Sequence, residues 1–512
     1  MKSQIKTKLK TAGFALILAS GLSCSNEIEQ ETYNLKETSF DLGTEDKFGT
    51  PRAYNTNSYF TGTGNASVNF TGTTSTQLNT LIRNTSGQKI IKIPRKNYTW
   101  GEVNLKSGIH LQIAAGTVIK PTNNNVRRIF NIGTSAKGAR VTNTSISGVG
   151  GGFTIDLSAL ANLNKNMAAV RIGRVTDFKL FNFTIKDRRT SLASILLNYV
   201  ANANQDNQPF AKQGIIQKIR QTGAHTGYGL IQGYSADQIL FKDLDCQGGV
   251  TLRLETDDRS MKNDVIKTPS KKFGMFRIFA DDITCTDGIC PLMLSPHFTQ
   301  NGKVTAKKIT STGCAFAVRI EHGFIEVFDK NKTYTASQRT QFTNFISNQI
   351  SGVANNQKFI GNAYRRANGT QWAIRITDAS INGNLTPYIK NQIGNLKNGS
   401  FQNATFGNVR ANKGSGNKAK LKQGFLKFYS CNTITNTIKR PTNTGMPNGF
   451  EYYGPALGLK FDNTQGVGNG NYKITVNGSF TGGSGTNILH NTPAKCNSPA
   501  IGQIGTVSGS FF

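Results

Sequence analysis

The chain has 512 residues and carries 60 Lys and Arg against 28 Asp and Glu, a formal net charge of +32. That length excludes a disulfide miniprotein, and 37% hydrophobic residues exclude a disordered chain, which would lack the β-branched and aromatic residues abundant here. One apolar run approaches membrane-spanning length, and its place at the extreme N-terminus leaves no room for a transporter.

Residues 1–23 read as a signal peptide, with Lys2, Lys6, Lys8 and Lys10 ahead of the apolar run Ala12 to Leu22. Gly21-Leu22-Ser23-Cys24 resembles a lipoprotein box displaced by one position. Cys24 is therefore expected to carry lipid, with plain secretion the alternative. Residues 24–60 read as a polar tether. The protein is expected outside the cytoplasm, on the cell surface as an outer-membrane lipoprotein or extracellular. Its one contact with a membrane is that anchor.

Removing residues 1–23 takes away four Lys and no acid, leaving +28. Such a charge outside the cell calls for a polyanionic partner: sulfated or uronate polysaccharide, nucleic acid or lipid headgroups. With Cys24 set aside, six Cys remain, compatible with up to three disulfides of unassigned pairing. Cys285 and Cys290 have no matching pair at metal-ligand spacing.

Short strand candidates follow from Lys89 onward: 89–94, 108–113, 116–120, 128–132, 144–148, 152–156, 177–180 and 182–185. Each ends in turn residues, and they recur about every ten residues. Ile239–Cys246, Phe276–Cys285 and Val304–Thr310 then align with one another. Each is followed by a second strand, Val250 to Glu255, Pro291 to Ser295 and Phe316 to Glu321. A unit too small to bury its own core must stack on its neighbours. The expected fold is all-β, a right-handed parallel β-helix with Leu252, Leu294 and Ile320 in an inward ladder. A β-sandwich explains the repeat less well.

The β-helix is expected over 61–325 and again over 396–512, where Gly424 to Ser430 and Tyr472 to Val476 read as strands before a C-terminal cap. An inserted α/β lobe spans 326–395. In it Ser337 is expected to cap a helix bearing Phe342, Phe345, Ile346 and Ile350, and Pro387 to start a second helix.

Val250 to Asp258 carries the chemistry. In a strand, residues i and i+2 share a face, so Arg253, Glu255 and Asp257 point outward together with Thr251. A rise of roughly 3.3 Å per residue sets the two carboxylates about 6.5–7 Å apart at Cβ. Inverting glycosidases use separations of roughly 6.5–9.5 Å, leaving room for a water. Such a pair alone usually marks a solvated surface. Stacking Leu252 and Leu254 on Leu292 and Leu294 strengthens it, placing Ser295 beside Glu255 and His297 beside Asp257. One coil on, Arg319 and Glu321 join the same face, and one coil back Gln232 supplies an amide. No phosphate loop, nucleophile elbow or nucleic-acid-binding module is present, so nucleic acid is not the expected partner.

Leu252-Arg253-Leu254-Glu255-Thr256-Asp257, with Gly229-Leu230-Ile231-Gln232-Gly233 before it and Ser295-Pro296-His297 after it, resembles the active-site region of the iota-carrageenases, glycoside hydrolase family 82. The resemblance spans about residues 65 to 510. It implies inverting hydrolysis of β-1,4 linkages in a sulfated red-algal galactan. A monomer is expected, independently of the resemblance. Glu255 would be the general acid, Asp257 the general base, and Gln232 and His297 would position water or substrate. It further implies that the lobe covers the cleft and favours processive cutting. No cofactor is required for the chemistry. Bound calcium, sodium or chloride is a family expectation without assigned ligands.

A sulfated substrate calls for charge-assisted contacts, and Arg253, Arg319, Glu321, Arg365, Arg366, Trp372 and Arg375 are the candidates for substrate binding. As an acid, Glu255 would need a pKa raised by its carboxylate neighbour and by desolvation. A β-helix polysaccharide lyase acting on uronates and a non-catalytic adhesin for sulfated glycans are the alternative functions.

Overall fold

The computed structural model describes residues 66–160, 166–329, 334–352, 364–365, 372–376, 383–441, 451–464, 472–481, 487–489, 492–496 and 506–507. The proposed signal, Cys24, the tether and Arg366 lie outside these residues.

Two parallel sheets share the chain, coil by coil. Val175–Lys186, Ala211–Thr222, Ala236–Gln247, Met275–Thr286, Gln300–Thr312 and Ser400–Asn412 are neighbours in the long-strand sheet. Ala168–Ile172, Ile195–Leu197, Gly229–Gly233, Val250–Glu255, Cys290–Ser295, Val318–Glu321 and Lys460–Asn463 are neighbours in the short-strand sheet. Alternation between two sheets with every such neighbour parallel is the winding of a parallel β-helix, as the repeat predicts. The three aligned segments stack in the expected register, Ile239 on Ile278 on Val304.

The long strands share a bend, and four of them carry a second positive-φ residue nearer their start, at Asp177, Gln213, Gln238 and Arg277. Asn182, Lys218, Asp243, Asp282, Lys308 and Asn408 occupy equivalent places in successive coils, and all have positive φ, between 52° and 60°. Four of the six are Asn or Asp, the residues that enter this region most readily after glycine. The bend merges what read as two strands, 177–180 and 182–185, into one.

Inside, the columns Leu252–Leu292–Val318 and Leu254–Leu294–Ile320 are fully buried. Truncating one such Leu to Ala costs about 2–5 kcal/mol. The helix Ser75–Asn84 closes the N-terminal end, started by a capping box between Thr74 and Gln77 and burying Leu78 and Ile82.

Within the expected lobe, Phe342, Ile346, Ile374 and Ile389 join a hydrophobic cluster that also takes in Met261, Val265 and Phe298 from outside it. Ile325–Phe328, Trp372–Ile376 and Tyr364–Arg365 form an antiparallel sheet. Pro387 starts a helix over Pro387–Ile393. Ser337 is not the cap of the first helix. Thr335 begins a 3-10 turn with Gln338, the α-helix proper is Arg339–Asn348, and Ile350 lies beyond it in a short strand. Gly424 to Ser430 is not a strand either: Gln423–Phe428 is a 3-10 helix that buries Phe425, Leu426 and Phe428 in a second layer packed on the coils. Among the described residues one disulfide forms, Cys431–Cys496, while Cys246, Cys285, Cys290 and Cys314 are free and buried.

Candidate active site

The register places the predicted group on one face of the short-strand sheet. Glu255 pairs with Ser295, Arg253 with Gln232 on one side and Met293 on the other, and Met293 with Arg319. Gly229 lets its strand lie close to Val250–Glu255, because a Cβ there would meet the Val250 carbonyl oxygen at 2.0 Å and its φ is +146°. Thr251 departs from the group. It is fully buried and donates its hydroxyl to the carbonyl of Thr284 instead of facing the cleft.

Glu255 is 7% exposed and sits at the centre of the site. Gln232 Nε2 donates to its Oε2 at 3.2 Å, Arg253 forms an ion pair with the same oxygen, and His297 Nε2 lies 3.4 Å from Oε1. The His297 nitrogen also lies 3.9 Å from Asp257 Oδ2. One acceptor and one donor remain open: Gln232 Oε1 and Arg253 Nε are buried without a partner among the described residues. They suit a water, a sugar hydroxyl or a sulfate oxygen. Arg253 is further fixed by donation to the Gly227 carbonyl and by the Tyr228 ring, 4.9 Å from its guanidinium.

His297 owes its place to the lobe. Its φ is +47°, and its carbonyl accepts the backbone N–H groups of Phe324 and Gly399, each at 2.6 Å. Phe324 opens the lobe and Gly399 follows its return, so both ends of the insertion meet on this residue. The Phe324 ring packs on the imidazole at 4.3 Å between centroids, and the Arg375 guanidinium lies 4.0 Å from the same Phe324 ring.

Electrostatics differ from expectation at Glu255. Burial pushes its pKa up, but Arg253 and His297 outweigh burial and hold the carboxyl well below the usual carboxylate range. Asp257 moves the other way, pushed up to about 6 by burial and then by the negative charge of Glu255. Asp257 lies just past the end of the strand, and one oxygen of each carboxylate and a His297 nitrogen fall within 4.8 Å of one another. Among the described residues this is the one group with metal-ligand proximity, yet its donors already engage each other and a guanidinium, an arrangement suited to proton transfer.

A cavity of about 140 Å³ opens beside Asp257 and His297, lined by Arg259, Lys262, Phe324 and Phe328. A second space of about 360 Å³, which shares Arg259, Lys262 and Phe328 with it, lies between the helix Arg259–Lys267 and the helix Pro387–Ile393. That first helix is absent from the sequence reading. Asp258 is its N-cap, accepting from Met261 N–H, a Asp-x-x signal that was legible. Arg171 was also overlooked, although Val170–Ile195–Ile231 register puts it in the column of Gln232 and Arg253. Lys422 enters from the second layer. Arg319 and burial push its pKa down to about 7, with Arg253 adding to the effect.

Other candidates are placed differently. Arg319 and Glu321 lie on the predicted face but form a largely buried ion pair, Nε to Oε1 at 2.7 Å, under Phe425. Trp372 is 5% exposed and donates its indole N–H to the Thr335 carbonyl, so it is lobe core and no sugar platform. Arg365 pairs through its backbone with Trp372.

No protein-family model matches the chain. It is 38% identical to the iota-carrageenase of Zobellia galactanivorans over 510 residues, covering 96% of this chain and 98% of that one. The crystal structure of the A. fortis iota-carrageenase of family GH82, in the absence of chloride ions, superimposes with a TM-score of 0.71 at 31% identity, covering 85% of this chain and 92% of that one. An iota-carrageenase complexed to iota-carrageenan fragments gives the same TM-score at 29% identity, over 86% and 92% of the two chains. A parallel β-helix that shares this much sequence and structure with these enzymes, along almost its whole length, belongs to the iota-carrageenase family.

Proposed function

We propose that this chain hydrolyses the β-1,4 linkages of iota-carrageenan by inversion, with Asp257 as general base and Glu255 as general acid. The single observation that carries the assignment is the Glu255–Asp257–His297 cluster at the mouth of a cation-lined cleft. A base is most effective when its pKa lies near the working pH, and Asp257, pushed up to about 6, has that property. Asp257 also faces the cavity, where a water can reach it.

Glu255 must gain a proton in the complex to act as acid. What keeps it ionised is chiefly Arg253, and a sulfate ester of the substrate competes for that guanidinium. Exclusion of water by the bound chain acts in the same direction. Retention would need Asp257 itself to attack the sugar, and the anomer that appears first distinguishes that from attack by water. Proton transfer of this kind requires no cofactor, and any bound calcium, sodium or chloride is structural. Export through residues 1–23, anchoring through Cys24 and a monomeric state complete the reading.

The test is a reducing-end assay against iota-, kappa- and lambda-carrageenan, agarose and pectate, run beside Glu255→Gln. Release from iota-carrageenan, lost about 10²–10⁴-fold in the variant, supports the assignment. An NMR time course should show the α-anomer first. Product absorbing in the ultraviolet would mean a lyase, and binding without new ends would mean an adhesin.

A further inference from the structure

A second cavity of about 600 Å³ lies outside the catalytic cleft, at the beginning of the long strands Met275–Thr286 and Gln300–Thr312. It shares no lining residue with the cavity beside Asp257. The two are separated by a pair of rings, Phe273 on this side and Phe298 on the catalytic side, 6.1 Å apart.

The floor of this groove is aromatic and its rim is cationic. Phe273 and Phe276 are partly exposed, and Lys272, Arg277 and Lys303 are exposed around them. Arg277 donates to both carboxylate oxygens of Asp237, at 2.8 and 2.6 Å, which neutralises that acid and fixes the guanidinium plane. Lys272 and Lys303 then leave a local excess of positive charge.

The register explains why the ring face is open. Asp237 pairs with Phe276, and pairing of Ile278 with Val304 brings Gly302 alongside Phe276 in the next coil. A Cβ on Gly302 would meet Phe276 at 3.1 Å, so glycine leaves the ring uncovered. Gln402 follows in the coil beyond. The groove therefore crosses coils, and neighbouring strands are spaced about 4.8 Å apart, so a saccharide lying along it meets ring and cations in succession.

We infer that this groove is a second binding site for a sulfated galactan chain, in which Phe273 and Phe276 stack on sugar faces and Lys272, Arg277 and Lys303 take sulfate oxygens. The identity of the occupant rests on the proposed function; the groove itself does not. Rings supply the apolar contact a sugar face needs, and guanidinium and ammonium groups supply charge-assisted bonds to sulfate. A non-sulfated galactan would leave Lys272 and Lys303 unmatched. Tethering at a second site raises the local concentration of chain at the cleft without new catalytic contacts.

The experiment compares the parent protein with Lys272→Glu/Lys303→Glu, and with Lys272→Gln/Lys303→Gln as the milder pair, on two substrates and in affinity electrophoresis. The expected result is kcat/KM on short soluble iota-carrageenan oligosaccharides within about twofold of the parent. The rate on gelled iota-carrageenan should fall at least about fivefold. Retardation in gels containing iota-carrageenan should weaken in both variants, while agarose retards none of the proteins. Unchanged gel rate and retardation would overturn the proposal, as would equal losses on both substrates. If the parent cuts neither substrate the hydrolase reading fails, and the retardation arm, which needs no turnover, still decides the groove.

Discussion

The backbone N–H of Gly399 donates to the carbonyl of His297 at 2.6 Å, tying the return of the inserted lobe to a residue between the two carboxylates. A Cβ on Gly399 would meet the backbone of Pro296, Thr299 and His297 at 2.4 to 2.7 Å, and backbone cannot step aside as a flexible side chain can. Gly399→Ala should therefore displace His297 while the coils keep their ladder. Misplacement of about 1 Å costs on the order of 10²-fold in rate. The expected outcome is a large fall in kcat with little change in KM, measured on soluble oligosaccharides. A variant with parental kcat would show that the histidine does not depend on this contact.

Arg253 and Glu255 are two apart on one strand, and their side chains are 11% and 9% exposed. Removing the guanidinium takes away the main opposing charge, so Arg253→Met should raise the pKa of Glu255 into or above the ordinary carboxylate range. NMR titration of labelled carboxyl carbons reads the shift directly. Affinity for sulfated chains should fall in the same variant, seen as a higher KM. A Glu255 titration that stays where it was would remove Arg253 from this role.

Asp257 gives the pH dependence. A base must be ionised, so kcat/KM should fall as pH drops through about 6, about tenfold per unit, and level off above it with respect to this group. Asp257→Asn should lose about 10²–10⁴-fold and should lose that acid limb as well. The sign for stability is opposite. A carboxyl whose pKa is raised by folding favours the fold when protonated, and that contribution fades as pH rises through about 6. Asp257→Asn should accordingly melt no lower than the parent at pH 7. A lower melting temperature would contradict the burial argument.

Trp372 and Arg375 share one lobe strand and should separate cleanly. Trp372→Ala removes a buried ring and its hydrogen bond, at a cost of about 3–5 kcal/mol to the lobe. Arg375 is exposed beside Phe324 at the cleft, so Arg375→Ala should leave the melting curve unchanged and raise KM for sulfated substrate. Equal effects of the two on stability would place Arg375 in the lobe core.

Much of this site was legible because a parallel ladder converts sequence spacing into position. Leu252 and Leu254 align on Leu292 and Leu294, and that alone sets Glu255 beside Ser295 and brings His297 within reach. The same rule, applied further, would have found Arg171. It failed where the backbone leaves the ladder. Gln423–Phe428 has strand-like composition but is a 3-10 helix, because its apolar side chains are satisfied by packing onto the coils and need no sheet partner. Trp372 looked like a sugar platform because sequence does not distinguish a ring facing a cleft from one facing a lobe core.

The sequence by itself determined the coil repeat, the inward ladder and the residues that line one face, since each follows from a period of two and a fixed register. The tertiary structure alone decided the charge states and the closeness of the acidic pair. Glu255 is held ionised because Arg253 and His297 converge on it within a buried site, and Asp257 is raised because it shares that site past the strand end. Those effects depend on distance and desolvation in three dimensions, and His297 reaches them only because the two ends of the lobe close on its carbonyl.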